Sequence, residues 1–254
     1  MSAITITNKF ITDIDWLEPS ACPFKVGDGI DVWSISFNPL LPVPDTCLAV
    51  ISADDVARAN KFYQQKDRNR FMISRWILRT ILAKYIHLQP VEIEFESGKN
   101  KKPHVKNAGR QNLHYNMSHS SGNILLAVSD KVLGADIEFI NTDFGYSDVL
   151  ADNFSPPEVS YINEAEHINR FFTLWTRKEA ITKATAQGLD CDLRQLPALD
   201  GLHIVEAGII ASDDDWLINS FLIGEKYAAS IASSVSPGAL QFFQLDATSG
   251  ELPF

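Results

Sequence analysis

The chain has 254 residues, 45% of them hydrophobic, and a formal net charge of −10 at pH 7. That length can bury a core as one large domain or two small ones. The acidic balance argues against nucleic-acid backbones and anionic membranes as main partners, and no apolar run approaches the roughly 20 residues that span a bilayer.

The first sixteen residues carry acids where an export signal would turn apolar, and Cys22, Cys47 and Cys191 are odd in number and far apart. Neither an export signal, nor a disulfide framework, nor a zinc site is read from them, and a reduced, cytoplasmic protein is expected.

In chain order, short strands are expected first, with IDVWSISF (30–37) and TCLAVIS (46–52) the clearest. Ser52 can cap a helix beginning near 53, and helical spacing runs on through 70–86, where Phe71, Ile73, Trp76, Ile77 and Ile81 fit a buried stripe. VEIEFES (91–97) alternates like a strand, and 98–112 is a polar, basic loop. LHYNMSHSSGNILLAVSD (113–130) reads as strand, turn, strand, and KVLGADIEFI (131–140) as another strand. Residues 141–153 are expected as loop or irregular helix. Ser155 to Glu158 has the form of a capping box, so a helix should run to about 164, and a longer one from 169 to 186. Four strand-like segments close the chain. Asn69-Arg70-Phe71 recurs as Asn169-Arg170-Phe171 at two long helices, which suggests halves of 1–131 and 132–254, each mixing strands with two helices.

Charge is unevenly spread. From Arg58 to Arg110 the chain carries 13 of its 22 Lys and Arg residues and only four acids. A basic stretch on an acidic protein suits a small polyanion in a cleft, and equally a solvated helix face with a polar loop. Glycine-rich phosphate loops of the common kinds are absent, so phosphate binding would rest on side chains.

Three groups of residues could carry chemistry. Asp136 and Glu138 sit at i and i+2 of a strand and share a face, while Leu133, Ile137 and Phe139 turn to the core. Paired carboxylates suit Mg²⁺, or are a solvated strand face. Trp175, Glu179 and Lys183 share a face of the last long helix, with Lys178 beside them. They form either a surface ion pair or a metal–phosphate site on a largely buried helix. In Asn116-Met117-Ser118-His119-Ser120 a histidine stands between two hydroxyls, as a structural hydrogen bonder or, less simply, as part of a nucleophile pair.

Together these pieces resemble the Sfp-type 4'-phosphopantetheinyl transferases over about residues 52 to 189. That family carries a K-P pair, an [FY]-N-x-S-H-S segment, a G-x-D-x-E strand and a W-x-x-K-E-[AS]-x-x-K helix. Here they read Lys102-Pro103, YNMSHS (115–120), GADIE (134–138) and WTRKEAITK (175–183), with F-S-x-x-E at Phe154 to Glu158. The chain departs from the pattern at Lys101, Ala135 and Ala186, none of which removes a charged group.

The resemblance implies an α+β fold of two similar α/β subdomains related by pseudo-twofold symmetry, each an antiparallel sheet packed on helices, in a monomer. It implies coenzyme A as donor, Mg²⁺ as cofactor, an apo acyl or peptidyl carrier protein as acceptor, and 3',5'-ADP as leaving product. Carried over by motif, Asp136, Glu138 and Glu179 are the metal ligands. Glu179 or Glu158 draws the proton from the carrier serine. Lys183 and Lys178 meet the pyrophosphate, and Ser118 and His119 the 3'-phosphate. Lys102, Arg70 and Arg58 add charge around the coenzyme, and Pro103 of the K-P pair is counted with them as coenzyme-binding. Trp175 is expected to pack the helix onto the strand bearing Asp136. A Mg²⁺-dependent nucleotide pyrophosphatase and a non-catalytic coenzyme A or carrier-binding module are the alternatives.

Overall fold

A computed structural model of the chain describes residues 3–27, 29–98, 100, 102–109, 111–188, 191–234 and 238–253. Lys101 lies outside the described residues. In chain order the elements are β1 (Ala3–Phe10), β2 (Trp16–Leu17), β3 (Ile30–Ser36), α1 (Asp45–Leu48), α2 (Ala53–Ala59), α3 (Gln65–Ile86), β4 (Phe95–Ser97), β5 (Pro103–Val105), β6 (His114–Ser120), β7 (Asn123–Ser129) and β8 (Leu133–Phe139). They continue as α4 (Ser147–Asn153), α5 (Pro156–Glu164), α6 (His167–Thr185), β9 (Gly201–Glu206), β10 (Trp216–Ile223), β11 (Tyr227–Ser234) and β12 (Leu240–Asp246).

Two five-stranded sheets stack face to face. One has the order β2-β12-β3-β7-β6, the other β8-β11-β10-β1-β9, and β4-β5 form a separate ribbon. Between the sheets lie Ile30 and Val32 of β3, Leu125 and Ala127 of β7, Leu133, Ala135 and Ile137 of β8, and Phe221 and Phe242. Alternate residues of the same strands, Trp33, Ile35, Leu126 and Val128, pack on α3 instead. Strands covered on both faces lose the polar alternation of a half-exposed sheet, which is why β7 reads as a continuous apolar run from Ile124 to Val128. On the far side, Ala180, Ile181 and Ala184 of α6 join Ile6, Ile218 and Ala232 of the other sheet.

The layers therefore run helix, sheet, sheet, helix, a mixed α+β architecture as the resemblance implied. The sheets are not wholly antiparallel, however. β1 runs parallel to β10, and β12 parallel to β2 and β3. These partners are far apart in sequence, so no tight hairpin forces opposite directions. The expected halves, 1–131 and 132–254, also exchange a strand: β1 lies within the sheet built mostly from 132 onward, and β12 within the other.

Local expectations fare unevenly. Ser52 caps α2, accepting the Asp55 amide at 3.1 Å while Asp55 accepts the Ser52 amide at 3.3 Å. The expected strand at 46–52 is instead the short helix α1 and a turn, with Pro44 at its N-cap and Cys47 buried. α3 starts at Gln65, earlier than the apolar stripe. Only 95–97 of the 91–97 segment is strand, and the basic loop contains β5 as its partner. Residues 147–153 form α4. No helix among the described residues is long and apolar enough to cross a membrane.

Candidate active site

Gly134 sets the position of the site. A Cβ there would lie 2.1 Å from the Ala180 carbonyl oxygen and 2.4 Å from the Ala184 amide. Only glycine lets α6 press directly onto β8, and this contact brings α6 side chains to the carboxylates of the strand. With Leu133, Ala135 and Ile137 in the sheet–sheet core, Gly134, Asp136 and Glu138 face the other way.

Asp136 is 2% exposed. Its Oδ1 accepts the Lys183 ammonium at 2.5 Å and the Ser118 hydroxyl at 2.9 Å, and Lys183 also donates to Ser118 Oγ at 3.1 Å. Its Oδ2 is buried with no hydrogen-bond partner among the described residues. Glu138 accepts the Ser120 hydroxyl at 3.0 Å. Burial and then the Asp136 charge push the Glu138 carboxyl up to about 7, against the pull of Ser120 and Lys183, with Glu179 adding to the rise. Burial, then Asp136, raises Glu179 as well, and Lys183 opposes this. Asp136 acts on both Glu138 and Glu179, and Glu179 on Glu138, so the three carboxylates are close enough to interact.

A cavity of about 440 Å³ opens beside these carboxylates, lined among others by Asn100, Lys102, Pro103, Asn116, Glu179 and Lys183. Lys102 gives two of its three donors to carbonyls, Leu133 O at 2.8 Å and Ala184 O at 2.9 Å, and burial lowers it to about 8. It ties the basic loop to β8 and to the end of α6.

β6 divides its residues between two surroundings. Ser118 and Ser120 turn to the carboxylates, while Tyr115 and Met117 turn to the α3 core. His119 shares the second direction by alternation. Burial first, then the charges of Arg70 and Lys183, lowers its pKa. Arg70 itself pairs with Asp67 at 2.9 Å. Ser118, expected at a 3'-phosphate beside His119, is thus bonded to Asp136 and Lys183 instead.

Two further expectations are corrected. Glu158 and Lys178 pair with each other, 2% and 1% exposed. Lys178 donates to both Glu158 oxygens and to the carbonyls of Leu193 and Leu196, while Glu158 accepts the amides of Ser155 and Ala198. A base or phosphate ligand needs an open valence and access, and this pair has neither. Trp175 does not pack on β8. It stacks on Phe171 at 6.0 Å and lies against Phe154, fixing α6 to the helices before it. Arg58 stays on the exposed surface of α2, its guanidinium 5.3 Å from the Phe71 ring centre. Ser120 and Gly134 were given no place in the site from the sequence, although Ser118 and Ser120 repeat the i, i+2 spacing of Asp136 and Glu138.

Comparison with known proteins finds relatives along most of the chain. The model of the family described as "4'-phosphopantetheinyl transferase, N-terminal" matches residues 36–131, and that of the "4'-phosphopantetheinyl transferase superfamily" matches 132–232. A "4'-phosphopantetheinyl transferase HetI" of Nostoc sp. is 30% identical over 179 residues, 68% of this chain and 76% of the relative. The chain belongs to the 4'-phosphopantetheinyl transferase superfamily. A Bacillus subtilis "4'-phosphopantetheinyl transferase" is 33% identical over 153 residues, 59% of this transferase and 66% of the relative. The B. subtilis protein "4'-phosphopantetheinyl transferase Sfp" is 24% identical over 58% of this transferase and 65% of its own length.

Proposed function

We propose that this chain transfers the 4'-phosphopantetheinyl group of coenzyme A to a serine hydroxyl of an apo carrier protein, in a Mg²⁺-dependent reaction that releases 3',5'-ADP. The observation that carries this reading is the convergence of Asp136, Glu138 and Glu179 beside Lys183, with Asp136 Oδ2 buried and unpartnered. Family membership supports it and disfavours the pyrophosphatase and the passive binding module.

The carboxylates suit a hard divalent cation. Among the described residues no group of three or more His, Cys, Asp or Glu side chains is placed to hold a metal ion. Mg²⁺ usually takes one or two protein carboxylates and completes its shell with substrate phosphate oxygens and water, so bound coenzyme A would supply part of the set. Asp136, Glu138 and Glu179 would hold it, and it would neutralise charge on the pyrophosphate. The protein's own groups do the rest. Lys183 steadies negative charge on the pyrophosphate, and His119 with Arg70 receives the 3'-phosphate. Glu179, held above the usual carboxylate range by burial, takes the proton of the carrier serine as its oxygen bonds the β-phosphorus. The bond from that phosphorus to the oxygen bridging to 3',5'-ADP breaks. Transfer of this kind rests on positioning and charge neutralisation. A cytoplasmic monomer is the proposed working form.

The test is intact mass of apo acyl, aryl and peptidyl carriers after incubation with the protein, coenzyme A and Mg²⁺. A phosphopantetheine-sized gain on the carrier serine is expected. Free 4'-phosphopantetheine with every carrier unmodified would make the protein a pyrophosphatase, and coenzyme A binding without either product would make it a binding module.

A further inference from the structure

β6 and β8 are edge strands of different sheets. β8 pairs with β11 on one side, and β6 with β7. Along their facing edges, side chains of β6 take the place of a backbone ladder. Asn116 Oδ1 accepts the Ala135 amide at 2.8 Å. Ser118 Oγ reaches Asp136 Oδ1 at 2.9 Å, and Ser120 Oγ reaches Glu138 Oε2 at 3.0 Å. Ser120 Oγ also accepts the Phe139 amide at 2.9 Å. Asn116, Ser118 and Ser120 share one strand face, so three alternate residues span the gap between the sheets.

The direction of these bonds is fixed by donor counting. A serine hydroxyl has one hydrogen and two lone pairs. The Phe139 N–H can only donate, so it occupies a lone pair of Ser120, and the serine hydrogen is left for Glu138. The Lys183 ammonium can only donate to Ser118, whose hydrogen is then left for Asp136. Each carboxylate therefore has one oxygen committed to a serine of β6. For Asp136 the other oxygen is the buried, unpartnered Oδ2.

We infer that Ser120 is a positioning residue for Glu138. Polarised by the Phe139 amide, its hydroxyl holds Oε2 of Glu138 and turns the remaining oxygen to the cation. This rests on the reading of Asp136, Glu138 and Glu179 as cation ligands. Ser120 belongs to the layer behind the ligands, where losing a hydrogen bond typically weakens metal binding by about 10- to 100-fold.

The test uses the full chain with coenzyme A and no carrier, and titrates Mn²⁺ by the electron paramagnetic resonance signal of the free ion. Ser120→Ala is expected to weaken Mn²⁺ binding by roughly tenfold or more, with cooperative thermal unfolding kept. Ser120→Thr, which retains the hydroxyl, should bind close to wild type. In turnover, Ser120→Ala should raise the apparent KM for Mg²⁺ and leave kcat at saturating Mg²⁺ largely intact, whereas a general loosening of the site would lower kcat as well. Equal Mn²⁺ affinity in Ser120→Ala and wild type overturns the inference, as does equal weakening in the alanine and threonine variants. If wild type takes up no Mn²⁺ that Glu138→Gln abolishes, the cation reading falls first and the inference with it.

Discussion

One helix, α6, supplies the lysines of two lysine–carboxylate pairs that differ in burial and in how fully they are satisfied. Lys178 and Glu158 are sealed, and each remaining valence is met by the backbone of residues 155, 193, 196 and 198. Lys183 and Asp136 lie on the neighbouring face. Lys183 is 32% exposed, and Asp136 keeps one oxygen buried and unpartnered. Both pairs would look alike as residue types. A fully satisfied pair is a strut, because nothing can bind it without first breaking bonds already made. An under-satisfied pair beside a cavity has capacity left for a ligand.

The sharpest way to break this contrast is Glu158→Gln. It strands a buried ammonium, and removing one partner of such a pair costs on the order of 3–5 kcal/mol. The expected outcome is a large fall in thermal midpoint, with the fraction still folded turning over at near the wild-type rate. A folded, stable variant without turnover would restore Glu158 as a catalytic group and erase the distinction.

Glu179→Gln should do the opposite. Burial and Asp136 already disfavour its charge, so a neutral isostere should leave the melting temperature unchanged or slightly higher. Turnover should drop by roughly 10²–10³-fold, the scale for one group acting on transition-state charge. Mass spectrometry of the carrier over a time course reads the rate, and calorimetry reads the midpoint. Near-wild-type turnover in Mg²⁺ would remove Glu179 from the site.

The contrast also marks what the sequence could convey. Spacing alone put Asp136 and Glu138 on one face, and Glu179 and Lys183 on another, because periods of 2 and 3.6 are local. The helix cap at Ser52, the capping box at Ser155 and the long helices were legible for the same reason. Lys178 was misread because its partner lies 20 residues away and its carbonyl acceptors beyond α6. No local pattern encodes that encounter. The exchange of β1 and β12 between sheets was hidden likewise, since strand pairing across some two hundred residues leaves no trace in either strand. The segment 46–52 failed differently: an apolar run that short fits a buried strand and a buried helical turn equally well.

Lys102 lies between the two kinds of pair and supplies the gentlest test. It lines the cavity, yet two donors are bound to the carbonyls of Leu133 and Ala184. Burial lowers it to about 8 from its ordinary value of 10.5. Between these values the unfolded chain holds a proton that the folded chain has released, so stability should rise with pH across that window. The contribution is fully present above about 10.5 and is lost as pH falls through about 8. Lys102→Met should flatten this rise, which denaturant melts of both proteins at pH 7.5 and pH 10 would read as a difference of slopes. A slope unchanged by the substitution would mean that the ammonium is solvated rather than held between β8 and α6. Lys102 would then return to the set of cations free to meet a phosphate.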